Sequence, residues 1–227
     1  MKISKNIILT ISVSLIIIIF IIMLLLMKNN IFDDVQNNNG KDYIIIKSNG
    51  ETLLFNRKDV NELDKYLEGS FDPATEINRM RFTYLKKING TQYYLIHYGG
   101  GVKLQNNLLV KKDCSDKVTS KLISEVSFYQ NFKTSPNKQY IAFLFGRNEG
   151  TVVLRNNLVI VDSTTLEEIK IDKVIKPFKY AILEYRWIDN EVLEVIIPDI
   201  ESWDFNTLEE WFRSSQRQTR KIKLKIY

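Results

Sequence analysis

Residues 7–27 read IILTISVSLIIIIFIIMLLLM, an apolar run with no charged side chain. As a helix the run spans about 31 Å, close to the hydrocarbon thickness of a bilayer. A lone strand would leave its backbone groups unpaired in lipid, so a single apolar segment of this length is expected to cross as a helix. Thr10, Ser12 and Ser14 can bond back to the preceding turn. Residues 28–30 (KNN) follow without a small-residue cleavage pattern and without a nearby Cys. The segment therefore reads as an uncleaved anchor rather than a signal peptide or lipoprotein leader. Lys2 and Lys5 precede it, which orients the N-terminus inward.

The expected organisation is a cytoplasmic N-terminus over residues 1–6, a transmembrane helix over 7–27 and a flexible linker over 28–41. An extracytoplasmic β-rich domain then runs over 42–227. The expected location is the cell membrane, single-pass, and the first expected partner is the bilayer through residues 7–27. The linker reading rests on the polar, Asn-rich, aperiodic string KNNIFDDVQNNNGK.

Formal net charge is +5. The charges are interspersed, so the chain lacks the basic footprint of a nucleic-acid binder and none is expected as a partner. One cysteine, Cys114, excludes an internal disulfide. A chain outside the cell without disulfides suits a bacterium.

The domain reads as mainly β. Residues 43–46 and 52–55 flank Asn49-Gly50, a hairpin signal. Val60, Leu63 and Leu67 lie three and four apart, the stripe of one short helix over 58–67 that Gly69 ends. Residues 70–79 read as a connection, with Pro73 barring a central strand. Three units of antiparallel meander follow. The first uses 82–85, 93–98, 106–110 and 121–123. The second uses 126–132, 140–145, 156–162 and 168–171. The third uses 182–187, 192–197 and 222–226. Asn106-Asn107-Leu108 and Asn156-Asn157-Leu158 mark corresponding places about 50 residues apart.

Residues 135–143 (SPNKQYIAF) resemble the S-P-D-G-K-x-I-A-F hairpin of TolB-type propeller repeats. Leu158–Asp162 followed by Thr165-Leu166-Glu167 is similar to the strand and turn that come next in such blades. Lys138 departs from the pattern, where the family has Gly. The resemblance covers residues 132–171 well and implies blade-like repeats that serve as binding surfaces. Propellers close with four or more blades. Three units and a hairpin predict a partial propeller or an open stack.

Candidate chemistry is sparse. Trp203, Phe205, Trp211 and Phe212 lie among Glu201, Asp204, Glu209 and Glu210 in an insertion of the third unit, where Thr207 and Glu210 suggest a capping box. Four large aromatics there form either a local mini-core or an exposed partner patch. They are the candidate partner-binding residues. Asp199, Glu201 and Asp204 could serve as oxygen ligands or as an acid pair for glycoside hydrolysis, against the default of a solvated acidic loop. His97 reads as a hydrogen-bonded strand residue. Its chemical alternative is a dyad with Cys114. Gly99–Gly101 precedes a strand, not a helix, so an inter-strand loop is favoured over a phosphate cradle. No metal-binding or nucleophile-elbow pattern occurs, and no cofactor, metal or catalytic residue is expected. Residues 221–226 alternate Lys with Ile or Leu, a half-buried strand with a basic outer face.

These readings converge on a membrane-anchored extracytoplasmic binding or accessory protein whose partner is an unidentified envelope protein or polymer. The rival expectations are an envelope hydrolase using the acidic residues and an accessory subunit of a membrane complex.

Overall fold

Period-two alternation of apolar residues, broken by Asn-Gly, Pro-Asn and Asp-Asn turns, builds antiparallel strands. The computed structural model describes residues 43–48, 50–101, 103–172 and 176–227. The anchor segment 7–27 and the linker 28–41 lie outside the described residues. Among the described residues no helix is long and apolar enough to cross a membrane.

The hairpin is β1 (Tyr43–Ser48) and β2 (Glu51–Asn56). A 3-10 turn at Arg57–Asp59 leads into α1 (Asn61–Glu68), which buries Leu63 and Leu67. The segment expected to be a plain connection contains a second helix, α2 (Pro73–Arg79). Its signal is Asp72-Pro73: the Asp72 carboxylate caps the N–H of Thr75 at 3.1 Å, and Pro at the first helical position lacks an N–H that would have been unpaired there. Among the described residues the expected helix is thus joined by α2, which was not expected, and by a further helix in the late insertion.

A six-strand meander follows: β3 (Arg81–Ile88), β4 (Thr91–Gly100), β5 (Gln105–Lys112), β6 (Val118–Thr134), β7 (Tyr140–Glu149) and β8 (Val153–Asp162). The last sheet is β9 (Glu184–Trp187), β10 (Val192–Pro198) and β11 (Thr219–Lys225), in the order β11-β10-β9. Between β10 and β11 lies α3 (Phe205–Arg213).

β6 runs unbroken through the boundary expected between the first and second units. Its first part pairs with β5 through Ser127, and its second part pairs with β7 from Phe128 onward. The strand bends at Val126, whose φ of +44° is a left-handed conformation that a β-branched residue rarely adopts. β6 thereby belongs to two leaves. The first leaf is β3, β4, β5 and the start of β6. The second is the end of β6 with β7 and β8. β9–β11 form the third.

The leaves stack face to face, and three clusters fill the gaps between them. The hairpin and α1 cover one face of the first leaf through Ile44, Leu53, Leu63, Phe82, Ile96 and Leu108. Leu95 and Leu109 on its other face meet Phe143, Phe145 and Val159 of the second leaf. The far side of the second leaf, with Leu144, Leu158 and Ile160, packs on Tyr185, Leu193, Val195 and Leu224 of the third. Polar ties bind the first two leaves as well: Tyr93 Oη donates to Ser163 O at 2.7 Å, and Lys121 pairs with Glu167 at 2.9 Å.

The two Asn-Asn-Leu landmarks are offset by one residue from structural equivalence. Leu108 faces the hairpin, whereas Leu158 faces the third leaf. The equivalent residues are Asn107 and Asn156, both fully buried and both turned toward the next leaf. Residues 168–171 form only bridges, Val161 with Glu168 and Ile171 with Ile226.

The stack ends differently at its two sides. At one end the hairpin and α1 lie over the first leaf. At the other, the outward face of the third leaf carries Arg186, Glu194, Lys221, Lys223 and Lys225, where the corresponding faces of the earlier leaves are apolar. Stacked repeats end in a polar outer face of this kind, because an apolar one would call for another layer.

Candidate functional site

The late insertion is built on α3. Asp204 is its N-cap, accepting from Thr207 N at 2.9 Å and from Thr207 Oγ1 at 2.8 Å. Thr207 is thus the third residue of the helix and not its cap, and the expected Thr207–Glu210 box does not form. Asp204 also accepts from the Ser202 hydroxyl, and these bonds hold its carboxyl below the usual range.

α3 turns Leu208 and Trp211 inward, three residues apart. Trp211 Nε1 donates to Gln218 O at 2.8 Å, and its ring meets Phe212 edge-on at 5.2 Å. Trp203, Phe205 and Phe212 are half-buried against Val153, Ala181 and Leu208. Trp203 also meets Tyr180 edge-on at 4.8 Å. Arg155 secures the segment from β8: its Nη1 donates to Trp203 O at 3.0 Å and to Lys179 O at 2.7 Å, while its Nε bonds Glu149. Phe205 lies against Gly150, where an added Cβ would meet the ring at 3.1 Å. Trp203, Phe205 and Phe212 therefore share one local core, and Trp211 adjoins it through Phe212. Phe212 also lines a shallow cleft of about 240 Å³ between the second and third leaves, together with Leu144, Ile182, Leu183, Gln130 and Asn131. Leu183 is 41% exposed there.

The three acidic candidates diverge. Asp204 is occupied as a helix cap, and Asp199 faces Arg220 at 3.6 Å. Glu201 is exposed. Among the described residues no group of three His, Cys, Asp or Glu side chains is placed to hold a metal.

His97 sits between the first and second leaves. Its Nδ1 is 2.9 Å from Asn107 Oδ1 and its Nε2 3.1 Å from Thr83 Oγ1. The Asn107 amide nitrogen donates to Gln105 O at 3.1 Å, to Ser127 O at 3.2 Å and to Ser127 Oγ at 3.0 Å, so its oxygen is the acceptor for His97 Nδ1–H. The Thr83 hydroxyl can donate to a neutral Nε2 or accept from a protonated one. Desolvation pushes the His97 pKa down, against a smaller raising effect of Asn107. Cys114 is exposed in the β5–β6 turn. The His97 ring is committed to Thr83 and Asn107, and the Cys114–His97 dyad does not form.

Gly99 and Gly100 end β4 with φ of +55° and +146°. A Cβ on Gly100 would come within 2.2 Å of Leu104 O, so glycine is required there for a tight return into β5. This is an inter-strand loop and not a helix start.

Three positions that sequence reasoning passed over organise the region. Asn156 donates to Gln130 Oε1 at 2.8 Å and accepts from Ile182 N at 2.7 Å. Tyr185, buried, donates to Ala142 O at 3.1 Å, and burial drives its pKa up. Glu194, also buried, is held by Arg186 at 2.8 Å and by Lys221 at 3.6 Å. The doubled Asn-Asn was the available signal for the first. The other two depend on the pairing of strands distant in sequence.

Comparison with protein-family models, with curated proteins and with solved structures found no match.

Proposed function

We propose that the chain is a membrane-tethered extracytoplasmic binding or accessory module, working without a cofactor on an envelope protein or polymer. Residues 7–27 supply the tether, and the stacked leaves supply a rigid body. The TolB-like character of residues 132–171 fits that use, since such repeats mostly present surfaces. Lys138, the departure from the family pattern, has a φ of +63°, the conformation for which the family's glycine is suited.

The observation that carries the reading is the cleft beside Phe212. Its walls are apolar side chains with the amides of Gln130 and Asn131 set among them. A concave apolar surface with a few polar groups is the usual form of a recognition site. Two of the three acidic residues that a hydrolase would use, Asp204 and Asp199, are engaged in a helix cap and an ion pair.

The test is site-specific photo-crosslinking in native membranes. A photoreactive residue at Leu183 should give a discrete adduct that Phe212→Ala abolishes, while one at the exposed Val152 should not. Identical adducts at both positions, or none at Leu183, would remove the cleft as the binding site. Protease treatment of intact cells should digest the body if it lies outside.

A further inference from the structure

Among the described residues no other layer covers the outward face of the third leaf, and cations outnumber carboxylates on it. Residues 211–227 contain Arg213, Arg217, Arg220, Lys221, Lys223 and Lys225 and no carboxylate side chain. Since the whole chain carries +5, the remainder is close to neutral and the excess is concentrated in this segment.

β11 sets three of these cations, Lys221, Lys223 and Lys225, on one plane, while Arg213, Arg217 and Arg220 face Glu209, Trp211 and Asp199. Ile222 and Leu224 point into the core shared with the second leaf, so Lys221, Lys223 and Lys225 project outward by alternation, all exposed. Arg186 of β9 stands on the same face. The acidic residues of the face are Glu184 and Glu194. Glu194 is buried and already neutralised by Arg186 and Lys221. Val192 and Ile196 lie between the charges, half-buried. The face is thus a lysine-studded sheet with an apolar floor.

We propose that this face docks on the anionic headgroups of the bilayer that holds the tether. The inference rests on the tethered reading above. The linker 28–41 has 14 residues and a reach of up to about 50 Å. A tether of that length keeps the body at high local concentration over the lipid surface, so a modest electrostatic attraction suffices. Each cation brought to an anionic surface contributes about fivefold in binding. The apolar floor and long lysine stems suit an interface where the charge meets headgroups while the methylenes stay dry. Docking would lay the body down with the Phe212 cleft held at a fixed height.

The experiment uses the full chain reconstituted into vesicles of zwitterionic lipid, alone or with an anionic phosphoglyceride added. Backbone amide exchange over residues 184–197 and 219–227 is the readout. Exchange should slow in the anionic vesicles only, and high salt should restore it. The triple change Lys221→Gln, Lys223→Gln, Lys225→Gln should abolish the slowing. The same change at the exposed Lys47, Lys58 and Lys65, at the other end of the stack, should leave it intact. Equal exchange in both vesicles, or slowing that survives the triple change, overturns the proposal. Resistance to carbonate extraction is scored separately. If the chain washes free, the tether has failed, and cosedimentation of the released chain with anionic against zwitterionic vesicles still decides whether the face binds lipid.

Discussion

Asn107 reaches twenty residues along the chain to hold Ser127, donating to its carbonyl at 3.2 Å and to its hydroxyl at 3.0 Å. Asn156 does the same work one leaf later, accepting from Ile182 N at 2.7 Å. In both leaves a buried amide at the start of the third strand fastens the segment that enters the next leaf. Ser127 follows the bend of β6, and Ile182 precedes β9. The bend is held from its other side by Arg147, which donates to Val126 O at 2.6 Å and to Glu125 O at 3.0 Å while stacking on Phe178.

Replacing Asn107 with Leu removes the acceptor for His97 Nδ1–H and the donor to the Ser127 carbonyl, while the Ser127 hydroxyl keeps Ser124 at 2.8 Å. The expected loss is about 2–3 kcal/mol of unfolding free energy, read from urea denaturation. Asn107→Asp should be nearly as damaging, because a carboxylate cannot donate to the Ser127 carbonyl. Asn156→Leu should act similarly at the second junction.

His97 predicts a pH dependence. Its folded pKa lies below the unfolded value of about 6.5, so the unfolded chain binds more protons as pH falls through that region. The contribution to stability is full above the unfolded pKa and declines as the solution is acidified, until pH passes below the folded pKa. Urea midpoints should therefore drop between pH 7.5 and pH 5. His97→Gln, which can keep a bond to Asn107 without titrating, should flatten that slope.

Lys138 occupies a left-handed position at φ +63°, in the turn where Ser135 N donates to Tyr140 O at 2.9 Å. Lys138→Gly should stabilise the fold by about 0.5–1 kcal/mol, since the relief of the left-handed conformation outweighs the added entropy of the unfolded chain. Lys138→Val should lower the thermal midpoint, because β-branching makes that conformation costlier.

Asp204 is tested through its helix. Asp204→Ala removes the acceptor for Thr207 N, so α3 should fray and the thermal midpoint should fall. Asp204→Asn should retain most of the cap. A hydrolytic role would rank these variants differently, since Asn cannot replace a catalytic carboxylate, and turnover on wall glycans would separate the two.

Local signals in the chain mark many of its elements. Alternation and Asn-Gly turns placed β1, β2, β3 and β4. The Val60–Leu63–Leu67 stripe placed α1, and Lys alternating with Ile and Leu placed the outward and inward faces of β11. α2 went unread because Pro73 was weighed as a strand breaker, although Asp72 before it is a helix cap. The apolar run 7–27 likewise rests on the sequence alone, since it lies outside the described residues.

The amino-acid sequence by itself determined a β-rich body with its turn positions, because those depend on neighbours one to four residues apart. Only the tertiary structure decided that β6 is one strand serving two leaves and that Asn107, not Asn106, corresponds to Asn156. It also decided that Trp203, Phe205 and Phe212 of the late insertion pack on Val153, Ala181 and Leu208. A strand's pattern fixes which side chains share a face but not which layer that face meets. That choice was made by the left-handed turn at Val126 and by hydrogen bonds that join residues twenty or more positions apart.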